Sequence, residues 1–257
     1  MLETKNLKVL ILAGGLGSRL SELTRDVPKP LVKIGKYPII LYIIKVYLSQ
    51  GINHFFIAAG YKKNEFLKFF KFKKKKFIKK NFIITKKIRL FGKICFINIV
   101  DTGNNTMTGG RVKKAFKYIK DDIFLLTYGD GLANVNISKL INFHIKNKKL
   151  ITVTAVNPPP RFGEVVIEDF LVKRFSEKQP IRNVWINGGY FVVSKEFVNL
   201  IKDKNTILEQ SPLEKAARIN QMCAFKHYGF WQCMDTRRDR DKLIKIIKKN
   251  RNIFDIS

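Results

Sequence analysis

Three features of the sequence predict an α/β protein built on a mostly parallel sheet with helices on both faces. Apolar runs of strand length alternate with helix-length segments over roughly the first 157 residues. Those runs are near-continuous, as expected for strands buried on both faces. The first of them ends in a glycine-rich loop, and in such sheets ligands sit beyond the carboxyl ends of the strands. After the proline run at 158–160 the pattern changes to short strands without long helices between them. The fold class is a Rossmann-like sheet covered by helices, with a mixed C-terminal half. One domain is expected over 1–257, with halves of about 8–157 and 158–257.

Each element has a local reason. "KVLILAG" (8–14) reads as a buried strand entering the loop. "PIILYIIKVYLSQG" (38–51) reads as a helix, with Pro38 in its first turn and Gly51 as its stop. "HFFIAAG" (54–60) is a second buried strand, and 62–75 a very basic helix. Strands follow at 82–88 and 93–101, a helix at 110–120, and a third buried strand at 123–130. A helix at 137–147 and a strand at 150–157 complete the first half. Short strands are predicted at 163–169, 171–177 and 188–194, and a last helix at 238–249. There is no internal repeat.

Composition narrows the function classes. No apolar stretch approaches the roughly 20 residues of a membrane span. "VLILA" is too short for the apolar region of a signal peptide, so a cytoplasmic protein without a membrane partner is expected. Cys95, Cys223 and Cys233 have no C-x-x-C spacing, which argues against disulfides and a zinc site. The three histidines are scattered and read as structural or surface residues. The formal net charge is +30, densest at "KFKKKKFIKK" (71–80). Such an excess can mark a nucleic-acid partner. Here Lys, Asn, Ile and Phe are all abundant, so biased composition spreading lysine over a solvated face is the reading adopted. A basic surface still favours anionic substrates.

The loop "LILAGGLGSRL" (10–20) fits neither common phosphate template. A dinucleotide loop needs glycine where Leu20 stands, and a P-loop needs lysine where Ser18 stands. Its glycines allow backbone N–H groups to approach an anion, and Arg19 adds a fork for phosphate oxygens. A plain tight turn is the competing reading. In "VPKPL" (27–31) the prolines should hold Lys29 on a stiff extended segment, as a phosphate ligand or simply a solvent lysine. "MTGGR" (107–111) puts two glycines and an arginine at a helix start, where amides can meet an anion or a base edge. "TYGDG" (127–131) places Asp130 after a buried strand, as a metal ligand or a turn aspartate. "WQCMDT" (231–236) offers Asp235, as a second acid or a helix N-cap.

Taken together, "LILAGGLGSRL" and "PKPL" resemble the signature of sugar-1-phosphate nucleotidylyltransferases. "DTGNNTMTGGR", "TYGDG", "PPPRFGEV", "SEK", "NGGYFV" and "HYGFWQCMDT" resemble its cytidylyl-transferring branch, in order from about residue 8 to 241. The resemblance implies the nucleotide-diphospho-sugar transferase type of fold and a reaction between CTP and glucose 1-phosphate. It implies that Leu12, Ala13, Gly14, Gly15, Leu16, Gly17, Ser18 and Arg19 wrap the nucleotide and its phosphates. Thr106, Gly109, Gly110 and Arg111 would bind the cytidine side, with Gly129 against the nucleotide. Glu177, Lys178, Asn187 and Gly188 would receive the sugar phosphate. Arg19, Lys29 and Lys178 would serve catalysis by screening phosphate charge, and Asp130 and Asp235 would hold Mg²⁺. The resemblance also implies a homo-oligomer and no nucleic-acid partner. Two positions depart from the family pattern: Ser18 replaces threonine but keeps a hydroxyl, and Gln179 stands where proline usually follows "EK". The rival readings are transfer to another sugar 1-phosphate and a non-catalytic basic nucleic-acid-binding module.

Overall fold

The computed structural model describes residues 7–17, 20–72, 83–158, 163–177, 184–250 and 253–254. The first half runs β1 (Lys8–Ala13), α1 (Ser21–Thr24), β2 (Lys33–Ile34), β3 (Tyr37–Pro38), α2 (Ile39–Ser49), β4 (His54–Ala59) and α3 (Lys63–Phe69). It continues with β5 (Ile83–Leu90), β6 (Lys93–Asp101), α4 (Thr108–Ile119), β7 (Ile123–Tyr128), β8 (Gly131–Ala133), α5 (Ile137–Asn147) and β9 (Ile151–Val156). The second half adds β10 (Glu164–Glu168), β11 (Leu171–Ser176), β12 (Ile186–Ser194), α6 (Ser211–Arg218), β13 (Met222–His227), β14 (Trp231–Cys233) and α7 (Arg237–Lys249).

Within the described residues the central sheet has eight strands in the order β13-β9-β12-β7-β1-β4-β6-β5. β1, β4, β6 and β7 are parallel, β13 runs parallel to β9, and β12 and β5 are antiparallel to their neighbours. The alternation on β1 shows why its run is continuously apolar. Val9, Ile11 and Ala13 enter one core with α2, α5 and Leu243 of α7. Leu10 and Leu12 enter the opposite core with Val112, Ala115 and Ile119 of α4 and Leu213 and Ala216 of α6. The chain builds β4 and β6 on one side of β1 and then crosses to place β7 on the other. That reversal leaves a crevice at the carboxyl ends of β1 and β7.

Several boundaries differ from those read in the sequence. The basic helix expected at 62–75 stops at Phe69. Lys71 turns left-handed at φ 52°, and Phe72 N–H donates to Leu67 O while Lys71 N–H donates to Lys68 O. That is a Schellman stop with lysine in the place glycine usually takes. Residues 73–80 of the lysine run lie outside the described residues. The 110–120 helix begins two residues earlier, at Thr108. Lys29 is not extended: Pro28 is, but Lys29 opens a short 3-10 turn over Lys29–Leu31. Leu31 and Val32 supply the N–H groups that close it, so Pro30 needs none. Helix α6 and strands β13 and β14 were not anticipated. β13 is a half-exposed edge strand with little apolar contrast to betray it.

Candidate active site

A cleft of ≈ 570 Å³ opens at the crevice between β1 and β7. Leu12, Ala13, Gly14, Gly15 and Gly17 form its floor, with Lys29, Gly129, Asp130 and Asp235 at one end. Thr106, Met107, Thr108 and Arg111 form a wall, and Tyr128, Asn187 and Glu209 line it too. Residues from widely separated motifs therefore share one space.

The floor owes its shape to one buried side chain. Arg111 is 3% exposed and reaches from α4 under the loop. Its terminal nitrogens donate to Thr102 Oγ1 at 2.5 Å, Gly103 O at 2.8 Å, Gly14 O at 2.8 Å and Asn104 O at 3.2 Å. A Cβ on Gly14 would lie 2.3 Å from this guanidinium, and one on Gly60 2.2 Å. Gly14 is thus required by the chain's own arginine. A Cβ on Gly15 would meet nothing within 4 Å among the described residues, and Gly17 holds φ +69°, which favours glycine. Burial pulls the Arg111 pKa down, and the nearby Asp101 charge opposes that pull. Thr106, beside it, donates to Thr102 O at 2.7 Å and accepts from Lys114.

The charged end is a triad. Lys29 Nζ donates to Asp130 Oδ2 at 2.7 Å and to Asp235 Oδ1 at 2.6 Å. Two pieces of backbone bring these residues together. Gly129 lets the end of β7 pass beneath Pro30, since a Cβ there would lie 2.7 Å from Leu12 O and from the proline ring. The antiparallel pair β8–β14 sets Gly131 opposite Cys233, and Met234 N–H donates to Asp130 O. The capping reading of Asp235 does not hold. Thr236 caps α7, in a capping box with Asp239, so the Asp235 carboxylate is left to face Lys29. Burial lowers the Lys29 pKa, but attraction from Asp130 and bonds to both acids outweigh it, and the net shift is upward. Lys29 is a fixed positive charge at neutral pH.

The wall explains the second glycine pair. A Cβ on Gly109 would meet Thr206 O at 2.8 Å, and one on Gly110 would meet Lys204 O at 2.5 Å. Met107 N–H donates to Lys204 O and Gly110 N–H to Thr206 O. Gly109 and Gly110 thus face a loop of the protein's second half and are not among the residues lining the cleft. That loop delivers Glu209, whose carboxylate accepts from Tyr128 OH at 2.7 Å and from Thr108 Oγ1 at 2.6 Å. Tyr128 OH in turn accepts from Asn187 Nδ2 at 3.1 Å. Tyr128, Thr108 and Glu209 were missed in the sequence. The first two sat inside quoted motifs, whereas Glu209 carries no local signal and reads only as an acid before a helix.

Other expected residues lie apart. Leu16 is 66% exposed and is not among the residues lining the cleft. Gly188 packs against Val156 and Thr154 O, and its carbonyl accepts from Trp231 Nε1 at 2.8 Å. Glu177 follows β11, in the two-stranded β10–β11 hairpin. Ser18, Arg19 and Lys178 lie outside the described residues.

A backbone-lined crevice with a fixed ammonium and two carboxylates suits a phosphorylated ligand with a bound cation. The chain belongs to the nucleotidyl transferase family, whose model matches residues 8–232. It is 42% identical over 243 residues to the glucose-1-phosphate cytidylyltransferase of Salmonella typhi, covering 91% of this chain and 93% of that protein. It is 38% identical over 256 residues to a probable glucose-1-phosphate cytidylyltransferase of Bacillus subtilis, covering 97% of this chain and all of the relative. The fold is that of HddC from Yersinia pseudotuberculosis, at a TM-score of 0.69 and 23% identity, covering 94% of this chain and 99% of that one. A UDP-glucose pyrophosphorylase complexed with UDP-glucose matches equally, at 0.69 and 14% identity over 95% of this chain and 98% of that one. Among the described residues no helix is long and apolar enough to cross a membrane.

Proposed function

We propose that this chain catalyses the reaction of CTP with α-D-glucose 1-phosphate to give CDP-glucose and pyrophosphate. The observation that carries the reaction class is the Lys29–Asp130–Asp235 triad at the strand-order reversal, beside a floor of backbone. The substrates are those in the names of relatives that match nearly the whole chain. A phosphate oxygen of the sugar phosphate attacks the α-phosphorus in line with the departing pyrophosphate. That nucleophile is already an anion, so no general base is required, and Lys29, held protonated, acts as a charge rather than a proton acceptor. The obstacle is repulsion between anions, which fixed positive groups relieve. Arg19 and Lys178 join Lys29 in this role on the family pattern. On the family pattern the 12–19 loop, Thr106 and Gly129 take the nucleotide, with Arg111 bracing that loop through Gly14 O, and Asn187 takes the sugar phosphate.

Asp130 and Asp235 would hold Mg²⁺. The donors fit: both are hard oxygens and face one cationic centre, and Mg²⁺ commonly takes one or two carboxylates plus substrate phosphates. The ion supplies neutralisation of phosphate charge. The same reading puts the enzyme in the cytoplasm as a homo-oligomer. The β10–β11 hairpin supports assembly, since Phe170, Val172 and Phe175 are 87%, 58% and 64% exposed. Sedimentation showing a monomer at micromolar concentration would refute that assembly.

Pyrophosphate release across four nucleoside triphosphates and several sugar phosphates tests the function. CTP with glucose 1-phosphate is expected to lead, and equal turnover of CTP, UTP and dTTP would overturn the base assignment. Asp130→Asn is expected to fold, to retain nucleotide binding and to lose at least about a hundredfold in turnover. Near-normal Mg²⁺-dependent turnover in both Asp130→Asn and Asp235→Asn would remove the metal assignment.

A further inference from the structure

An unassigned carboxylate stands inside a cleft built for anions. Glu209 is tied down at both oxygens, by the Tyr128 hydroxyl at 2.7 Å and the Thr108 hydroxyl at 2.6 Å. Thr108 Oγ1 also accepts from Leu208 N–H at 2.8 Å, which clamps the loop bearing Glu209 onto the first residue of α4. The glycines at 109 and 110 permit that approach. A negative charge here opposes phosphate binding, so its presence calls for a compensating task. Each of its oxygens already accepts from a protein hydroxyl, so the protein itself fixes its position.

The hydrogen bonds have a direction. With Glu209 accepting the phenolic proton, the Tyr128 oxygen presents a lone pair, and Asn187 Nδ2 donates to it at 3.1 Å. Asn187 Oδ1 accepts from Gly189 N–H at 2.8 Å, so both ends of that amide are assigned and it cannot flip without losing both bonds. The chain Thr108–Glu209–Tyr128–Asn187 therefore crosses the cleft, from the start of α4 to β12.

We propose that Glu209, acting through Tyr128, is a positioning residue that orients the Asn187 amide toward the sugar phosphate. This rests on the reading above, in which Asn187 belongs to the sugar-phosphate side. It adds a specificity element that joins the nucleotide wall to the sugar wall.

The test is a comparison of KM values for the two substrates in wild type, Tyr128→Phe, Glu209→Gln and the double variant. Each single change is expected to raise KM for the sugar phosphate about tenfold, the scale of one lost hydrogen bond. KM for the nucleotide should stay within about twofold and kcat within about threefold. The double variant should be no worse than either single one by more than about twofold, since both break one chain. Thr108→Val keeps both the Glu209 and Tyr128 side chains but releases the clamp on the Glu209 loop, and is expected to raise the same KM about threefold from the far wall. It serves where Glu209→Gln fails to fold. A fall in the sugar-phosphate KM, as simple removal of an anion would give, overturns the proposal. So do parallel shifts of both KM values, or single effects that multiply. The wild-type assay separates the two ideas. Inactivity with CTP and glucose 1-phosphate counts against the function, and the same KM split is then read with whichever pair the substrate panel turns over.

Discussion

Lys29 and Arg111 line the same cleft but are held by opposite kinds of partner. Lys29 donates to two carboxylates, and attraction more than offsets its burial, so its pKa rises. Arg111 donates to three backbone carbonyls and a hydroxyl, and its pKa falls with burial. A cation between carboxylates can exchange partners with an incoming phosphate or metal ion. A cation among carbonyls is part of the scaffold, and removing it strands several buried acceptors. The glycine pairs divide similarly. Gly15 has no close neighbour among the described residues, whereas Gly109 and Gly110 are closed over by the 204–208 loop.

Substituting both cations gives the sharpest test of this contrast. Lys29→Ala is expected to lose about a hundredfold in turnover while melting close to wild type. Arg111→Met is expected to lose roughly 3 kcal/mol of folding stability, read from denaturant midpoints. If Lys29→Ala unfolds and Arg111→Met melts normally, the contrast is reversed and wrong.

The glycines come next. Gly110→Ala forces a methyl against the Lys204 backbone and should cost up to about 3 kcal/mol. Gly15→Ala meets nothing within 4 Å among the described residues and should change stability by less than about 0.5 kcal/mol. Equal melting temperatures for the two variants would show that the loop does not press on α4.

A milder effect extends the same rule to a neutral group. His144 is 2% exposed, and its two ring nitrogens pair with the Thr152 and Ser194 hydroxyls at 2.9 and 3.1 Å. Burial pushes its pKa down from 6.5 to about 4. Between those values the unfolded chain binds a proton that the folded one does not, so stability rises with pH across this window and levels off above it. Acidifying from pH 7 to pH 5 should cost about 2 kcal/mol from this group alone. His144→Gln should flatten that part of the melting profile. An unchanged slope would mean that His144 is not the group responsible.

Much of the fold was legible because continuous apolar runs have few alternatives. The strand at 93–101 and the helix at 137–147 were found at their observed ends, the helix being capped by Asn136. The edge strand β13 was not, because half-exposed residues give weak contrast. In the site, the floor residues, Lys29 and Asp130 stood out in short motifs with unusual glycine and proline content, and Asp235 as an isolated acid before the last helix. Glu209 did not, because what marks it is the company of Thr108 and Tyr128, which are distant in the chain.

The strand–helix alternation, the glycine loop after β1 and the identity of the charged residues follow from the amino-acid order alone, since they depend on side-chain type and near neighbours. What each group faces is settled by the folded arrangement. Asp235 could have capped a helix, and Gly109 and Gly110 could have cradled an anion. The β8–β14 pairing turned the first toward Lys29, and the 204–208 loop closed over the other two. The physical reason is that hydrogen bonds and steric contact depend on distances of a few ångströms. Between residues far apart in the chain, those distances are set by strand register and loop docking, which no local stretch encodes.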